Sequence, residues 1–169
     1  MKIAYSPFDE QDHVAAIYQN ICRFHRGVFS SLLEKFDLSI RVHGRGGSQP
    51  LRTVRYDQQL YVFGHGGEGE DEIECMDGSK LSLQDLAGQL FLDGLSVSQK
   101  AVKLFACEGG KGGSSSMAAK LKQHMVNIGF TSVTVYGYTE SLAIGTKGAA
   151  EQKYSTDTGK RAKSVRVKF

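Results

Sequence analysis

The sequence predicts an α/β fold, with a mostly parallel central sheet and helices packed on its faces. Short apolar runs at 60–63 and 101–106 stop at glycine-rich turns, as strands buried on both faces of a sheet do. A segment with apolar residues at helical spacing follows each run, and this alternation of strands and helices is typical of parallel sheets. With 169 residues, the chain is expected to form one domain over 1–169 with one site.

The amino-terminal third predicts one helix and one strand. Apolar residues recur at intervals of three and four over 13–36, which favours a helix that Gly27 weakens in the middle. Residues 38–42 alternate loosely between apolar and polar side chains and predict a strand. The glycine-rich segment 43–50 follows and predicts a surface loop.

The central part of the chain predicts the two buried strands that carry chemistry. The run Leu60–Phe63 ends at Gly64, and a helix is expected to begin after it with Ser82 as the amino-terminal cap. The next buried strand, 101–106, ends at Cys107 and a second glycine-rich turn.

The carboxyl-terminal part predicts a second helix, a third strand and a hairpin. Any of the serines at 114–116 can cap the helix, which closes at Gly129. Residues 133–136 predict a strand that Gly137 bounds. Over 153–169, two polar, partly alternating stretches flank a Thr-Gly-Lys turn and predict a C-terminal β-hairpin.

Composition bounds the classes of function. Apolar residues make up 40% and charged residues 23% of the chain, and no apolar run approaches a membrane span. The first ten residues lack the basic start and apolar stretch of a secretory signal, which leaves open export by a signal-independent route or as a piece of a larger protein.

The cysteines indicate free thiols. Cys22, Cys75 and Cys107 are odd in number and widely spaced, which argues against a disulfide framework and for action in a reducing compartment. We interpret Cys22 and Cys75 as small buried residues. No Cys-x-x-Cys or His-x-x-x-His spacing occurs, so no metal site is expected.

His65 and Cys107 form the candidate catalytic pair. Both follow buried strands directly, and the carboxyl ends of parallel strands are where ligands and chemistry gather. A cysteine nucleophile needs its thiolate, and a nearby histidine provides it by taking the proton. Gly66 belongs to the same site because its N–H, together with the Cys107 N–H, can hold the oxyanion that develops on a peptide carbonyl.

Two neighbouring segments have other interpretations. Five acidic residues lie between 68 and 74, and one of them could orient the imidazole, although a solvated acidic loop is the simpler interpretation. The glycine-rich turn 109–114 precedes a helix and suggests a phosphate cradle. It lacks the Gly-Lys-Ser/Thr order of a P-loop, which disfavours nucleotide hydrolysis.

An apolar strand ending in His65-Gly66, followed by one ending in Ala106-Cys107-Glu108-Gly109, resembles the caspase-like clan of cysteine peptidases. The resemblance implies a three-layer α/β/α fold around the mostly parallel sheet, and a peptidase that needs no cofactor for its chemistry. Phe105 stands where caspases have glutamine and Glu108 replaces the residue after the cysteine, so caspase-type recognition of aspartate is not expected.

The small size, the His-Gly-Gly turn and the basic tail are most similar to the self-processing cysteine protease domains of bacterial toxins and effectors. That resemblance implies activation by inositol hexakisphosphate, and a secreted or translocated protein that acts in a reducing host cytosol. Its substrate would be a polypeptide, either the chain itself, a parent toxin or a host protein. No nucleic-acid partner is expected.

Basic residues crowd the tail of the chain. The resemblance implies that they form the polyphosphate site, and the residues assigned to it are Lys147, Lys153, Lys160, Arg161 and Arg166. The simpler interpretation of a basic stretch is a solvated face. The alternative to an enzyme is a non-catalytic caspase-like module that binds a polyanion or a host protein.

Overall fold

The computed structural model of the chain describes residues 2–12, 39–45, 49–147 and 150–169. Within these ranges the strands are β1 (Lys2–Ser6), β2 (Ser39–Val42), β3 (Gln59–Phe63), β4 (Glu72–Glu74), β5 (Lys80–Ser82), β6 (Ala101–Phe105), β7 (Thr134–Tyr138), β8 (Leu142–Lys147), β9 (Ala150–Ser155) and β10 (Arg166–Lys168). The helices are α1 (Leu83–Leu92) and α2 (Met117–Asn127), and short 3-10 turns cover Gly113–Ser115 and Ala162–Val165.

A six-stranded sheet organises the molecule, in the order β10-β7-β6-β3-β1-β2. All neighbouring strands from β7 to β2 are parallel, and β10 pairs with β7 in the antiparallel direction. The structure therefore confirms the predicted mostly parallel α/β sheet. The strand β1 was missed in the sequence although it lies inside the sheet, because polar Lys2 and Ser6 flank only three residues of strand character.

Both described helices pack on one face of the sheet. Ser82 and Ser116 cap them, each accepting a backbone N–H through its side chain, so Ser116 is the cap among the three serines. Apolar residues of the helices and of the central strands form one buried cluster, which includes Leu86, Leu90, Leu121, Met125, Leu60, Val62, Val102, Leu104 and Val135. Neither helix is long and apolar enough to cross a membrane, and none is found elsewhere in the described ranges.

The opposite face of the sheet carries a smaller apolar cluster. Ala4, Tyr61 and Phe63 are buried there, and Ile40 and Phe105 pack against them. The helix predicted over 13–36, which would supply a layer on a second face, lies outside the described residues.

The predicted hairpin over 153–169 is wrong in position. The hairpin is formed one strand earlier, between β8 and β9, and residues 156–158 make a turn followed by a single bridge between Tyr154 and Arg161. The edge of β7 offers unpaired backbone groups, and β10 pairs with that edge while Val165 is buried beside it. Pairing at the sheet edge therefore replaces the local hairpin.

Gly137 does not end the third strand as predicted, because β7 runs through it to Tyr138. A Cβ added at Gly137 would lie 2.7 Å from the Cα of Gly110, so the turn after Cys107 packs directly on this strand. Glycine is needed here for close backbone approach rather than for chain termination.

Candidate active site

The ends of β3 and β6 bring the segments of His65 and Cys107 together. These strands are parallel neighbours, with Phe63 paired to Phe105, and Gly64 N–H donates to the Phe105 carbonyl at 3.5 Å. His65 and Cys107 each lie two residues beyond the last paired residue of their strand, so both follow the same edge of the sheet.

The backbone of His65 is fixed while its side chain is free to reach solvent. Its N–H donates to the Glu74 carbonyl at 2.8 Å and its carbonyl accepts the Glu74 N–H at 3.0 Å, which ties the segment to β4. The side chain is exposed. In the part of the chain that the structure describes, no carboxylate contacts the imidazole ring, so none of the acidic residues at 68–74 orients it there.

Cys107 is a half-buried free thiol whose sulfur meets the start of β8. The Leu142 N–H donates to Cys107 Sγ at 3.4 Å, and Sγ lies 4.0 Å from the Leu142 carbonyl oxygen. The sulfur therefore faces both main-chain polar groups of Leu142. Leu142 was not singled out in the sequence, and nothing in the pattern marks it, since it lies 35 residues from Cys107.

Gly66 lies against the segment that precedes the cysteine. A Cβ added to it would lie 2.6 Å from Met117 Sδ and 3.2 Å from the Cβ of Ala106. The N–H groups of Gly66 and Cys107 donate no hydrogen bond to any residue in the described ranges.

The segment 106–112, which contains Cys107, is called the cysteine loop, and the segment 64–71, which contains His65, is called the histidine loop. The cysteine loop is anchored on both sides: Gly110 N–H donates to the Tyr138 carbonyl at 2.8 Å, and the Gly109 carbonyl accepts the Ala118 N–H at 2.8 Å. Ala119 N–H in turn donates to Ser116 Oγ. These bonds take up the N–H groups of Ala118 and Ala119 in the first turn of α2 and tie the cysteine loop to that helix.

Glu108 has an unusual backbone conformation next to the cysteine. Its φ is 52°, the only positive value at a non-glycine residue in the described ranges. An L-residue in this left-handed region is strained, and surrounding contacts must hold it there. One such contact is the Glu108 N–H, which donates to the Glu140 carbonyl at 3.3 Å.

The acidic side chains around the site are paired with lysines. Lys111 Nζ lies 2.9 Å from Glu68 and 3.0 Å from Glu108, and the hydrogen bonds that it donates to these two carboxylates raise the pKa of Lys111 to about 12. Lys120, which belongs to α2, contacts Asp71 and the Gly69 carbonyl. Lys80 lies near Glu72 and Glu74. The acidic segment is therefore largely neutralised by its neighbours.

The basic residues assigned to a polyphosphate site divide into two groups. Lys153 Nζ lies 4.1 Å from the ring centroid of Tyr61, and Arg166 stacks 4.9 Å from that of Tyr136, so both sit on the sheet. Lys160 and Arg161 instead belong to the turn after β9. The side chain of Lys147 lies outside the described residues, although its backbone belongs to β8.

Lys103 joins the first group and was missed in the sequence. It is buried in β6, donates to Gln59 Oε1 at 2.6 Å and Tyr61 OH at 3.0 Å, and also lies over the Tyr61 ring. Burial raises the pKa of Tyr61, and Arg166 opposes that shift. In the sequence, Lys103 stands alone within an apolar run, which was the available signal. Among the described residues, no group of three or more His, Cys, Asp or Glu could hold a metal ion.

The fold and site define an α/β protein with a histidine and a cysteine at adjacent strand ends. The chain belongs to the family described as Domain of unknown function (DUF8616), whose model matches residues 39–152. The matched region runs from β2 into β9 and includes both candidate catalytic residues. No curated protein matches the chain.

Proposed function

We propose that the protein is a cysteine endopeptidase with a caspase-like, three-layer α/β/α fold, in which Cys107 is the nucleophile and His65 the general base. The observation that carries the proposal is the β3–β6 pairing, because these parallel neighbours end at Phe63 and Phe105, two residues before His65 and Cys107. The free thiol of Cys107 and the Leu142 N–H aimed at its sulfur support the nucleophilic role.

The proposed reaction proceeds through an acyl-enzyme. Cys107 gives its proton to His65, and Sγ attacks the peptide carbonyl, whose oxygen takes up negative charge between the N–H groups of Gly66 and Cys107. His65 then protonates the leaving amine as the C–N bond breaks. Water attacks the resulting thioester, which releases the new carboxylate and returns the proton to the dyad.

The proposal extends to regulation and setting. Inositol hexakisphosphate is the proposed activator, and the protein is placed in the self-processing class found in bacterial toxins and effectors that act in a host cytosol. Lys153, Arg166 and Lys103 support a polyanion site because three cations converge on the aromatic rings of Tyr61 and Tyr136. Lys153 lies on β9, and its hairpin partner β8 begins at Leu142, which contacts Cys107. Binding of an anion at Lys153 would thereby affect the position of Leu142, and through it the surroundings of Cys107.

Hydrolysis in heavy-oxygen water tests the enzymatic part. Purified chain is incubated with a mixed peptide library, with and without inositol hexakisphosphate, and new carboxyl termini are analysed by mass spectrometry. We expect incorporation of heavy oxygen at new termini with the wild type and with Cys75→Ala, and none with Cys107→Ala. Equal cleavage by Cys107→Ala would contradict the proposal. Shortened forms of the chain itself that increase with time in the mass spectrum would identify self-processing.

Thermal unfolding tests the activator separately. A ligand that binds only the folded chain raises Tm, so inositol hexakisphosphate is expected to raise Tm for the wild type and for Lys122→Met, and less for Lys153→Met or Arg166→Met. If the ligand changes the Tm of none of the four proteins, inositol hexakisphosphate is not the activator. That result would not bear on the roles of His65 and Cys107.

The convergence of cations on one sheet face also favours a second function, a non-catalytic module that binds a polyanion. The two functions differ in one outcome. Tm would respond to inositol hexakisphosphate in both, but only the peptidase would release labelled carboxyl termini that depend on Cys107.

A further inference from the structure

Lys111 links the two loops that carry the candidate catalytic residues. Its ammonium lies 2.9 Å from Glu68 Oε2 in the histidine loop and 3.0 Å from Glu108 Oε1 in the cysteine loop. Glu68 is three residues after His65, and Glu108 follows Cys107 directly. One cation therefore bridges carboxylates from both sides of the site.

The contact with Glu108 involves both main chain and side chain. The Lys111 N–H donates to the Glu108 carbonyl at 2.8 Å, while the ammonium holds the carboxylate. These bonds close around the strained φ of 52° at Glu108. Glu108 is bonded directly to Cys107, so the contacts that hold Glu108 also restrict the main chain next to the cysteine.

Global stability does not explain this arrangement. The side chains of Lys111, Glu68 and Glu108 are 44%, 52% and 31% exposed, and ion pairs this exposed contribute little to folding. Only the Lys111–Glu68 pair crosses between the two loops, and it holds the histidine loop against the ammonium that also contacts Glu108.

We propose that Lys111 is a positioning residue, which bridges Glu68 and Glu108 and so aligns the histidine and cysteine loops for proton transfer between His65 and Cys107. It touches neither reacting atom. The proposal rests on the proposed His65–Cys107 chemistry and assigns a residue that this chemistry by itself does not require. Small misplacements of reacting groups are costly, with about a hundredfold loss of rate for a displacement of about 1 Å.

A double-mutant cycle on the alkylation rate of Cys107 tests the proposal. Iodoacetamide is used as the probe, and peptide mapping separates Cys107 from Cys22 and Cys75. The rate is measured for the wild type, His65→Ala, Lys111→Met and the double variant His65→Ala/Lys111→Met. Lys111→Arg tests rescue by a second cation, and Lys122→Met on α2 is the matched control.

Positioning predicts coupled effects. Lys111→Met should slow alkylation about tenfold, and His65→Ala should cost about tenfold less in the Lys111→Met background than in the wild type. Lys111→Arg should retain most of the rate, and Lys122→Met all of it. Tm of Lys111→Met should stay within about 3 °C of the wild type.

Two results would overturn the proposal in distinguishable ways. If His65→Ala slows alkylation by the same factor in both backgrounds, Lys111 does not position His65, although the dyad itself stands. If His65→Ala leaves the wild-type rate unchanged, both the dyad and the role of Lys111 fail.

Discussion

At the scale of single residues, the surroundings of Cys107 depend on a backbone group. The Leu142 N–H points at Sγ rather than into the β8–β9 ladder, because Thr156 N–H donates to the Ser141 carbonyl and leaves the Leu142–Ser155 pair without mutual bonds. Replacing the Leu142 N–H therefore removes a contact to sulfur without breaking a ladder bond.

Leu142→Pro is expected to slow alkylation of Cys107 about tenfold, because a hydrogen bond to a charged group contributes about 1.5–3 kcal/mol. Leu142→Ala keeps the N–H and is the control, with a rate close to the wild type. The measurement is the alkylation rate of Cys107 by mass spectrometry. Equal rates for the two variants would show that the N–H has no influence on the sulfur.

The sequence predicted correctly that His65 and Cys107 follow buried neighbouring strands, and their catalytic roles stay predictions. The partners Leu142 and Lys111 were not readable. Leu142 acts through a main-chain group that every residue except proline has, so its side chain gives no signal. Lys111 acts through carboxylates of two loops, and the pairing depends on how those loops approach in space.

At the scale of elements, two glycines let the cysteine loop lie on β7. A Cβ on Gly137 would lie 2.7 Å from the Cα and N of Gly110, and a Cβ on Gly110 would lie 2.8 Å from the Tyr138 N. The obstructing atoms belong to the backbone and cannot rotate away. The sequence pattern showed only a glycine after an apolar run, which was interpreted as a strand end.

Gly137→Ala is expected to destabilise the fold by about 1–3 kcal/mol, as overpacking does, and to slow alkylation of Cys107 by displacing its loop. Gly88→Ala in α1 is the matched control, since a Cβ there meets nothing within 4 Å. It should raise the free energy of unfolding by about 0.5–1 kcal/mol through helix propensity. Urea denaturation measures both, and a Gly137→Ala protein as stable as the wild type would refute the packing argument.

At the scale of the whole molecule, the periodicity of the sequence predicts the centre of the sheet. It does not predict which strands form the edges. Alternating buried strands and capped helices predicted the parallel centre around β3, β6 and β7. The placement of β10 depends on which strand edge is open at the end of folding, which local pattern does not encode. The β1 strand was missed because only three residues of strand character, Ile3, Ala4 and Tyr5, lie between polar Lys2 and Ser6.

The packing of the two described helices against the sheet can be tested by truncating a core residue. Leu104 of β6 is fully buried beneath α1 and α2, so Leu104→Ala is expected to lower the free energy of unfolding by about 2–5 kcal/mol. Leu92, at the end of α1, is 70% exposed, and Leu92→Ala should change it by less than about 0.5 kcal/mol. Similar losses for the two variants in urea denaturation would contradict the assigned core.

Whether Cys107 is an activated nucleophile is tested by the intact mass of the chain after incubation with a peptide chloromethyl ketone. Wild type, Cys75→Ala, Cys107→Ala and His65→Ala are compared, with and without inositol hexakisphosphate. We expect one adduct in the wild type and in Cys75→Ala, none in Cys107→Ala, and slower formation of the adduct in His65→Ala. An adduct that persists in Cys107→Ala, or no adduct in the wild type under either condition, would contradict the assignment of Cys107 as an activated nucleophile.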